Sequence, residues 1–203
     1  MSDIKTLCKE QFLTHKATLI QDTERFLIID WRRADGSGNY YVNYIVDKKR
    51  GSLIVSGDLG DSIATWYNPL TAEKIKSYIH NDVGYYIGKL QCASDKYYYD
   101  EENIVSDLKD YLQDCDEYEL INAYNKYTYC SVDSMAELWE TLKNDISGCI
   151  FGNTFIPNSD IQNFCRELNE DYWEWLYSCG RRIHTRVYLW AEGFYMACEQ
   201  LGI

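Results

Sequence analysis

Between Asp95 and Glu119 the chain carries ten carboxylates, two lysines and five tyrosines, a local balance of −8. Chemistry that such a stretch could perform is recognition of a cation-rich surface, since carboxylates at helical spacing can imitate a line of phosphates. Asp107, Asp110, Asp114 and Glu117 fall at steps of three, four and three. On one continuous helix they would form a stripe of roughly 15 Å, about 5 Å apart. Duplex DNA presents a phosphate about every 3.4 Å of axis on each strand. Few lysines accompany these acids, whereas a solvated helix gains from pairs of opposite sign at i,i+4. Tyr97, Tyr98 and Tyr99 lie beside the stripe and can stack or donate hydrogen bonds.

Two other constellations could do chemistry. In "SGDLGDSIATW" (56–66) Asp58 and Asp61 sit on glycine turns, and with "FGNTF" (151–155) they resemble the metal loops of phosphoesterases. A two-metal site needs several histidine and carboxylate ligands to hold two cations about 3.5–4 Å apart. His15, His80 and His184 are the only histidines, and none forms an Asp-x-His pair. The simpler expectation is that both aspartates bond backbone N–H groups in turns. A second surface, built from Arg181, Arg182 and Arg186 with Trp173 and Trp175, could hold nucleic acid by charge and stacking. Trp and Tyr in "NEDYWEWLY" are too dense for one helical face, so some must point away from a core or into a partner.

No phosphate-cradling Gly-Lys-Ser/Thr loop is present. Of the eight cysteines no two lie closer than fourteen residues. Zinc and redox motifs need close pairs, so the expectation is reduced, mostly buried thiols without metal, disulfide or cofactor. The net charge of −12 disfavours simple attachment to nucleic acid or an anionic membrane. A 46% hydrophobic content argues for a folded core. No apolar run approaches the ~20 residues of a membrane span, and the polar N-terminus has no secretory core, so a cytoplasmic location is expected.

These side chains need elements to hold them. Ile4, Leu7, Cys8, Phe12, Leu13 and Leu19 have helical spacing over 3–20, with Asp3 near the start. "RFLIIDW" (25–31), "YYVNYIVD" (40–47) and "SLIVSG" (52–57) read as strands joined by Gly turns, an antiparallel meander. A helix is expected over 71–81 and a strand over 84–91. Helices follow over 100–117, 134–145, 159–177 and 181–201. The fold class is therefore α+β: an N-terminal antiparallel β-meander packed with helices, and a helical C-terminal half. One domain over 1–203 is expected, with a division near 92–100, into 1–92 and 93–203, as the alternative.

The stretch "WRRADGSGNYYVNYIVDKKRGSLIVSGDLGDSIATW" (31–66) resembles the start of small proteins encoded by phages and mobile elements of low-GC Gram-positive bacteria. Among proteins of this kind are type II-A anti-CRISPR proteins, inhibitors of Cas9. The resemblance covers about a fifth of the chain and carries over no functional residue. It implies a non-enzymatic protein of the bacterial host cytoplasm that blocks a nucleic-acid-handling effector, Cas9 or the Cas9–guide RNA complex, by binding it. The acidic stripe would then be the surface that meets the partner's basic nucleic-acid groove. A nucleic-acid-binding accessory protein using the C-terminal arginines and tryptophans is the second expectation, and a phosphoesterase at Asp58 and Asp61 the third.

Overall fold

The computed structural model describes residues 2–128 and 130–203, with side chains from residue 4 onward. In chain order its elements are α1 (Ser2–Gln11), β1 (His15–Asp22), β2 (Phe26–Arg33), β3 (Val42–Asp47), β4 (Ser52–Gly57), β5 (Ser62–Thr65), α2 (Ala72–Asn81), α3 (Val83–Lys89) and β6 (Leu90–Ala93). Then come β7 (Tyr97–Tyr98), α4 (Glu101–Tyr111), α5 (Glu117–Tyr127), α6 (Met135–Ser147), β8 (Ile150–Phe151), β9 (Thr154–Phe155), α7 (Ser159–Leu168), α8 (Tyr172–Trp175), β10 (Arg182–Ile183) and α9 (Thr185–Leu201). The fold is α+β.

Two compact units share the chain. The first joins the residues up to Lys96 with His184–Ile203, and the second, Tyr97–Ile183, is inserted between them. A cut into 1–92 and 93–203 does not describe this arrangement, because α9 returns to the first unit. The reason is apolar content: α9 buries Val187, Leu189, Trp190, Phe194 and Ala197 on several sides, as a central helix must.

In the first unit β1 to β6 form one antiparallel sheet in sequence order. Period-two alternation decides its faces. Leu27, Val46, Leu53 and Ala64 are cross-strand neighbours, as are Ile29, Tyr44 and Val55, and all are buried. Helix α9 lies over β1, β2 and β3 on this side, flanked by α1 and α2, while α3 reaches β5. Tyr44 donates its hydroxyl to the carbonyl of Trp190 at 3.1 Å. This close approach needs Gly193, where a Cβ would stand 2.4 Å from Tyr44 Oη.

Two expectations fail here for identifiable reasons. The helix over 3–20 ends at Gln11, and His15–Asp22 is a strand. Leu13 and Leu19, which completed the helical pattern, are exposed, and pairing with β2 (Ala17 opposite Trp31) captures the segment instead. Asp3's side chain lies outside the described residues. The strand over 84–91 is mostly helix α3. Asp82 accepts the N–H of Tyr85 at 2.8 Å as its N-cap, and Tyr86 and Ile87 turn inward together. Only Leu90–Ala93 pairs with the sheet.

The inserted unit packs α4 against α6 and α5 against α6 and α7 around Ile104, Leu108, Leu120, Tyr124, Leu142 and Phe164. Asn158 caps α7, accepting from Asp160 and Ile161. The helix over 159–177 is broken, however: α7 stops at Asn169 and the aromatic run continues as the short α8 and a 3-10 turn. "FGNTF" is a two-residue hairpin between β8 and β9, with Gly152 at φ +60.

Candidate functional site

Charge is divided unequally between the two units. Residues 97–183 contain 18 of the 32 acidic residues and 6 of the 20 basic ones, which is −12, the whole net charge of the chain. The first unit holds 14 of each and is neutral.

The acids do not lie along one rod. Helix α4 starts at its N-cap Asp100, whose Oδ1 accepts the N–H of Asn103, and ends at Tyr111. The expected helix over 100–117 is therefore a correction: Asp107, Asp110, Asp114 and Glu117 are not one stripe. A new helix begins after Asp116, which accepts the N–H of Glu119 at 2.8 Å while Glu119 accepts the N–H of Asp116 at 3.1 Å. This capping box satisfies two orphan donors and stops the preceding helix from running on. Its signature, Asp116 followed three residues later by Glu119, is legible in the sequence.

Asp107 is also not a surface carboxylate. Arg182 clamps it through two bonds of 2.7 and 2.9 Å, and the N–H of Gly180 donates to it at 2.7 Å. The Arg182 hydrogen bond holds the Asp107 carboxyl below its ordinary value, with burial opposing. Gly180 has φ +72, and a Cβ there would stand 2.2 Å from Ile104 Cγ1. Asp107 thus ties the 180–182 segment to α4.

What remains is a compact acidic turn. Asp110, Asp114, Asp116, Glu117 and Glu119 are all exposed, and Tyr118 beside them is 76% exposed. Among the described residues none of these five carboxylates is ion-paired. Three of them have a local reason to be acidic, since Asp116, Glu117 and Glu119 sit at the positive end of α5. Asp110 lies in the last turn of α4, where the helix dipole disfavours negative charge, and Asp114 lies between α4 and α5. Folding alone does not call for Asp110.

Tyr97 and Tyr98 form β7, paired with β10 (Tyr98 opposite Arg182), and Tyr99 packs toward Phe155 at 6.4 Å. All three are half-buried.

The arginine–tryptophan surface does not assemble as expected. Arg182 is committed to Asp107, and Trp175 is buried with its ring stacked on Tyr111 at 4.6 Å. Arg181 lies 5.0 Å over the ring of Tyr97. Trp173 alone of the tryptophan pair is exposed, at 60%, and Arg186 belongs to the first unit at the start of α9.

Asp58 is a turn residue. Its Oδ2 accepts the N–H of Tyr40 at 2.8 Å, holding that residue at φ +56, and its own N–H donates to Tyr41. The backbone N–H of Asp61 donates to Ser94 Oγ at 3.0 Å. Among the described residues no three His, Cys, Asp or Glu side chains gather to hold a metal. Asp61→Asn is accordingly expected to change unfolding free energy by less than about 1 kcal/mol, and Asp58→Ala, which strands the Tyr40 N–H, to cost about 1–2 kcal/mol. Urea unfolding of both variants checks this; a divalent-dependent phosphoesterase activity lost in both would contradict it.

All eight cysteines are free thiols, and five of them are buried. Burial pushes the Cys8 thiol up to about 11, with Glu192 adding to the effect, so it is protonated at neutral pH.

Glu192 itself escaped the sequence reading, although a glutamate inside "YLWAEGFY" is a visible anomaly. It is 2% exposed on α9, with His80 Nδ1 of α2 at 3.3 Å and Lys9 Nζ of α1 at 3.8 Å. Burial raises its carboxyl above the ordinary 4.5, against the pull of Lys9 and Lys5. Burial lowers His80, and Lys5 and Lys9 lower it further. A raised carboxyl favours folding below its unfolded value, and that contribution is lost as pH rises through the folded value. Glu192→Gln is therefore expected to stabilise the protein near pH 7 by on the order of 1 kcal/mol, the gain shrinking toward pH 4. Thermal melts of both proteins across that range test it; a gain that grows on acidification would contradict it.

The chain matches no protein-family model, no curated protein and no solved structure. Among the described residues no helix is long and apolar enough to cross a membrane.

Proposed function

We propose that this chain is an inhibitory binding protein, phage- or element-borne and acting in a bacterial cytoplasm, whose inserted unit competes with DNA for the basic groove of a nucleic-acid-guided nuclease of the Cas9 type. The observation that carries the reading is the confinement of all twelve net negative charges to residues 97–183, with five unpaired exposed carboxylates inside Asp110–Glu119. A charge pattern needed only for solubility would be spread over both units. Concentrated charge of one sign steers a complementary partner and raises its association rate. Asp110 opposes the dipole of α4, which is explicable if it serves binding rather than folding. Tyr118, projecting from the middle of the acids, is an aromatic anchor of the kind that dominates interface energetics.

The inhibition would be steric and electrostatic, with no covalent step. Titration of the protein into guide-loaded Cas9 and target DNA tests it directly. The expected result is loss of cleavage at stoichiometric protein, weakening as salt is raised. Full cleavage at a large excess of protein over nuclease would remove Cas9 as the target.

A further inference from the structure

The six-stranded sheet has an apolar row and a cation-lined groove outside the acidic unit. Ile28, Ile45, Ile54 and Ile63 stand opposite one another across β2 to β5, forming a row on the face that α9 does not cover. Beside this row a groove of about 760 Å³ is lined by Arg25, Phe26, Lys49, Arg50, Ile63 and Tyr67, among others.

Its walls are fixed by the backbone. Asp47 Oδ1 accepts the N–H groups of Lys49 and Arg50, each at 3.1 Å. Trp66 donates to the carbonyl of Gly51 at 2.9 Å, and Leu70 to that of Lys48 at 2.9 Å. The turn 48–51 therefore lies against the 66–70 segment so closely that a Cβ on Gly51 would stand 1.9 Å from the Asn68 carbonyl oxygen. Tyr67 holds φ +61, a left-handed backbone that only over-determined surroundings impose on a tyrosine. The residue is 73% exposed, with its hydroxyl donated to Gln91 Oε1 at 2.8 Å.

The cations of the groove differ in availability. Arg25 is held by Asp47 at 2.9 Å and lies 4.7 Å over the Phe26 ring. Lys49 pairs with Glu24 at 2.8 Å in an exposed contact, the kind that yields readily to a better partner. Arg50 has no ion pair among the described residues. An exposed ring beside a guanidinium without an ion pair suits a ligand that is both planar and anionic. Nucleotides are both, and an acidic peptide would satisfy the cations but not the ring. With Tyr67 and Lys49 more than half exposed, the groove is open to solvent, which suits a continuous strand better than a free nucleotide.

We propose that this groove binds single-stranded nucleic acid, with phosphates at Arg50 and Lys49 and a base stacked on Tyr67. The contacts are sequence-tolerant, because every base offers a face to stack.

The test is fluorescence anisotropy of a labelled oligothymidylate of about 12 nucleotides with the full chain at low salt, no nuclease present. Saturable binding is expected, weakening as salt rises. Arg50→Glu and Tyr67→Asn are each expected to weaken it by about tenfold or more, while Tyr67→Phe, which keeps the stacking face, stays within about twofold. Asparagine tolerates the left-handed backbone, so Tyr67→Asn removes the ring without a new strain. The proposal is overturned if the oligonucleotide does not bind, or if either weakening variant binds as well as wild type. It is also overturned if polyglutamate or thymidine monophosphate competes as well as the oligonucleotide, since the site would then read charge or a free nucleotide. With no nuclease present, none of these results depends on inhibition of one.

Discussion

Asp107→Lys is expected to destabilise the inserted unit by about 2–4 kcal/mol. The substitution removes the bidentate acceptor of Arg182, strands the N–H of Gly180, and sets a lysine against an arginine in a half-buried site. The 180–182 segment cannot retreat easily, because Gly180 is packed on the backbone of Ile104. Asp107→Asn should cost less, about 1–2 kcal/mol, since one acceptor oxygen survives. Urea unfolding, with amide exchange of residues 97–183 as a local probe, measures both. Unfolding free energies within about 0.5 kcal/mol of wild type would mean that the Asp107–Arg182 pair is incidental.

The double reversal Asp110→Lys, Asp114→Lys has the opposite profile: a large effect on binding and a small, favourable one on folding. Both side chains are exposed and unpaired, and Asp110 sits at the negative end of α4, so lysine at 110 should stabilise by a few tenths of a kcal/mol, while position 114, between α4 and α5, should be close to neutral. Four units of charge are removed from a patch whose role is to meet a basic surface. Affinity for a guide-loaded nuclease is expected to fall by about tenfold or more, chiefly through the association rate. Stopped-flow association at two salt concentrations checks both parts. Unchanged rates would leave Asp110 and Asp114 as a solvated surface and move attention to Tyr118 and the rest of the turn.

Local patterns in the sequence carry some elements and not others. The strands at 26–33, 42–47 and 52–57 announce themselves by β-branched alternation between glycine turns, and Thr71, Asp100, Ser134 and Asn158 announce the starts of four helices. Strand β1 is hidden because Leu13 and Leu19, both exposed, complete a false helical period that only pairing with β2 overrides. Concentration of acid near 110–119 is legible, but its geometry is not. The period of Ile104, Leu108, Tyr111 and Leu112 runs smoothly into a turn that the Asp116–Glu119 capping box creates. Asp107 looks like its neighbours in sequence, and its role depends on Arg182, 75 residues away. The insertion of one unit into the other is invisible for the same reason: nothing local in "RVYLWAEGFYMA" says which sheet it will cover. Groove residues Arg50 and Tyr67 lie 17 positions apart, joined by a β4–β5 hairpin whose second strand the pattern did not resolve.

Displacement of DNA bears most directly on the claim that the acidic unit takes the place of a nucleic acid. Labelled target duplex, bound to guide-loaded Cas9 and followed by anisotropy, is titrated with wild-type protein and with the Asp110→Lys, Asp114→Lys variant at physiological salt. Wild type is expected to release the duplex with an affinity that declines as salt is added, and the variant to release it only at about tenfold or higher concentration. A duplex that stays bound at saturating wild-type protein, or one that both proteins release equally well, would contradict the account.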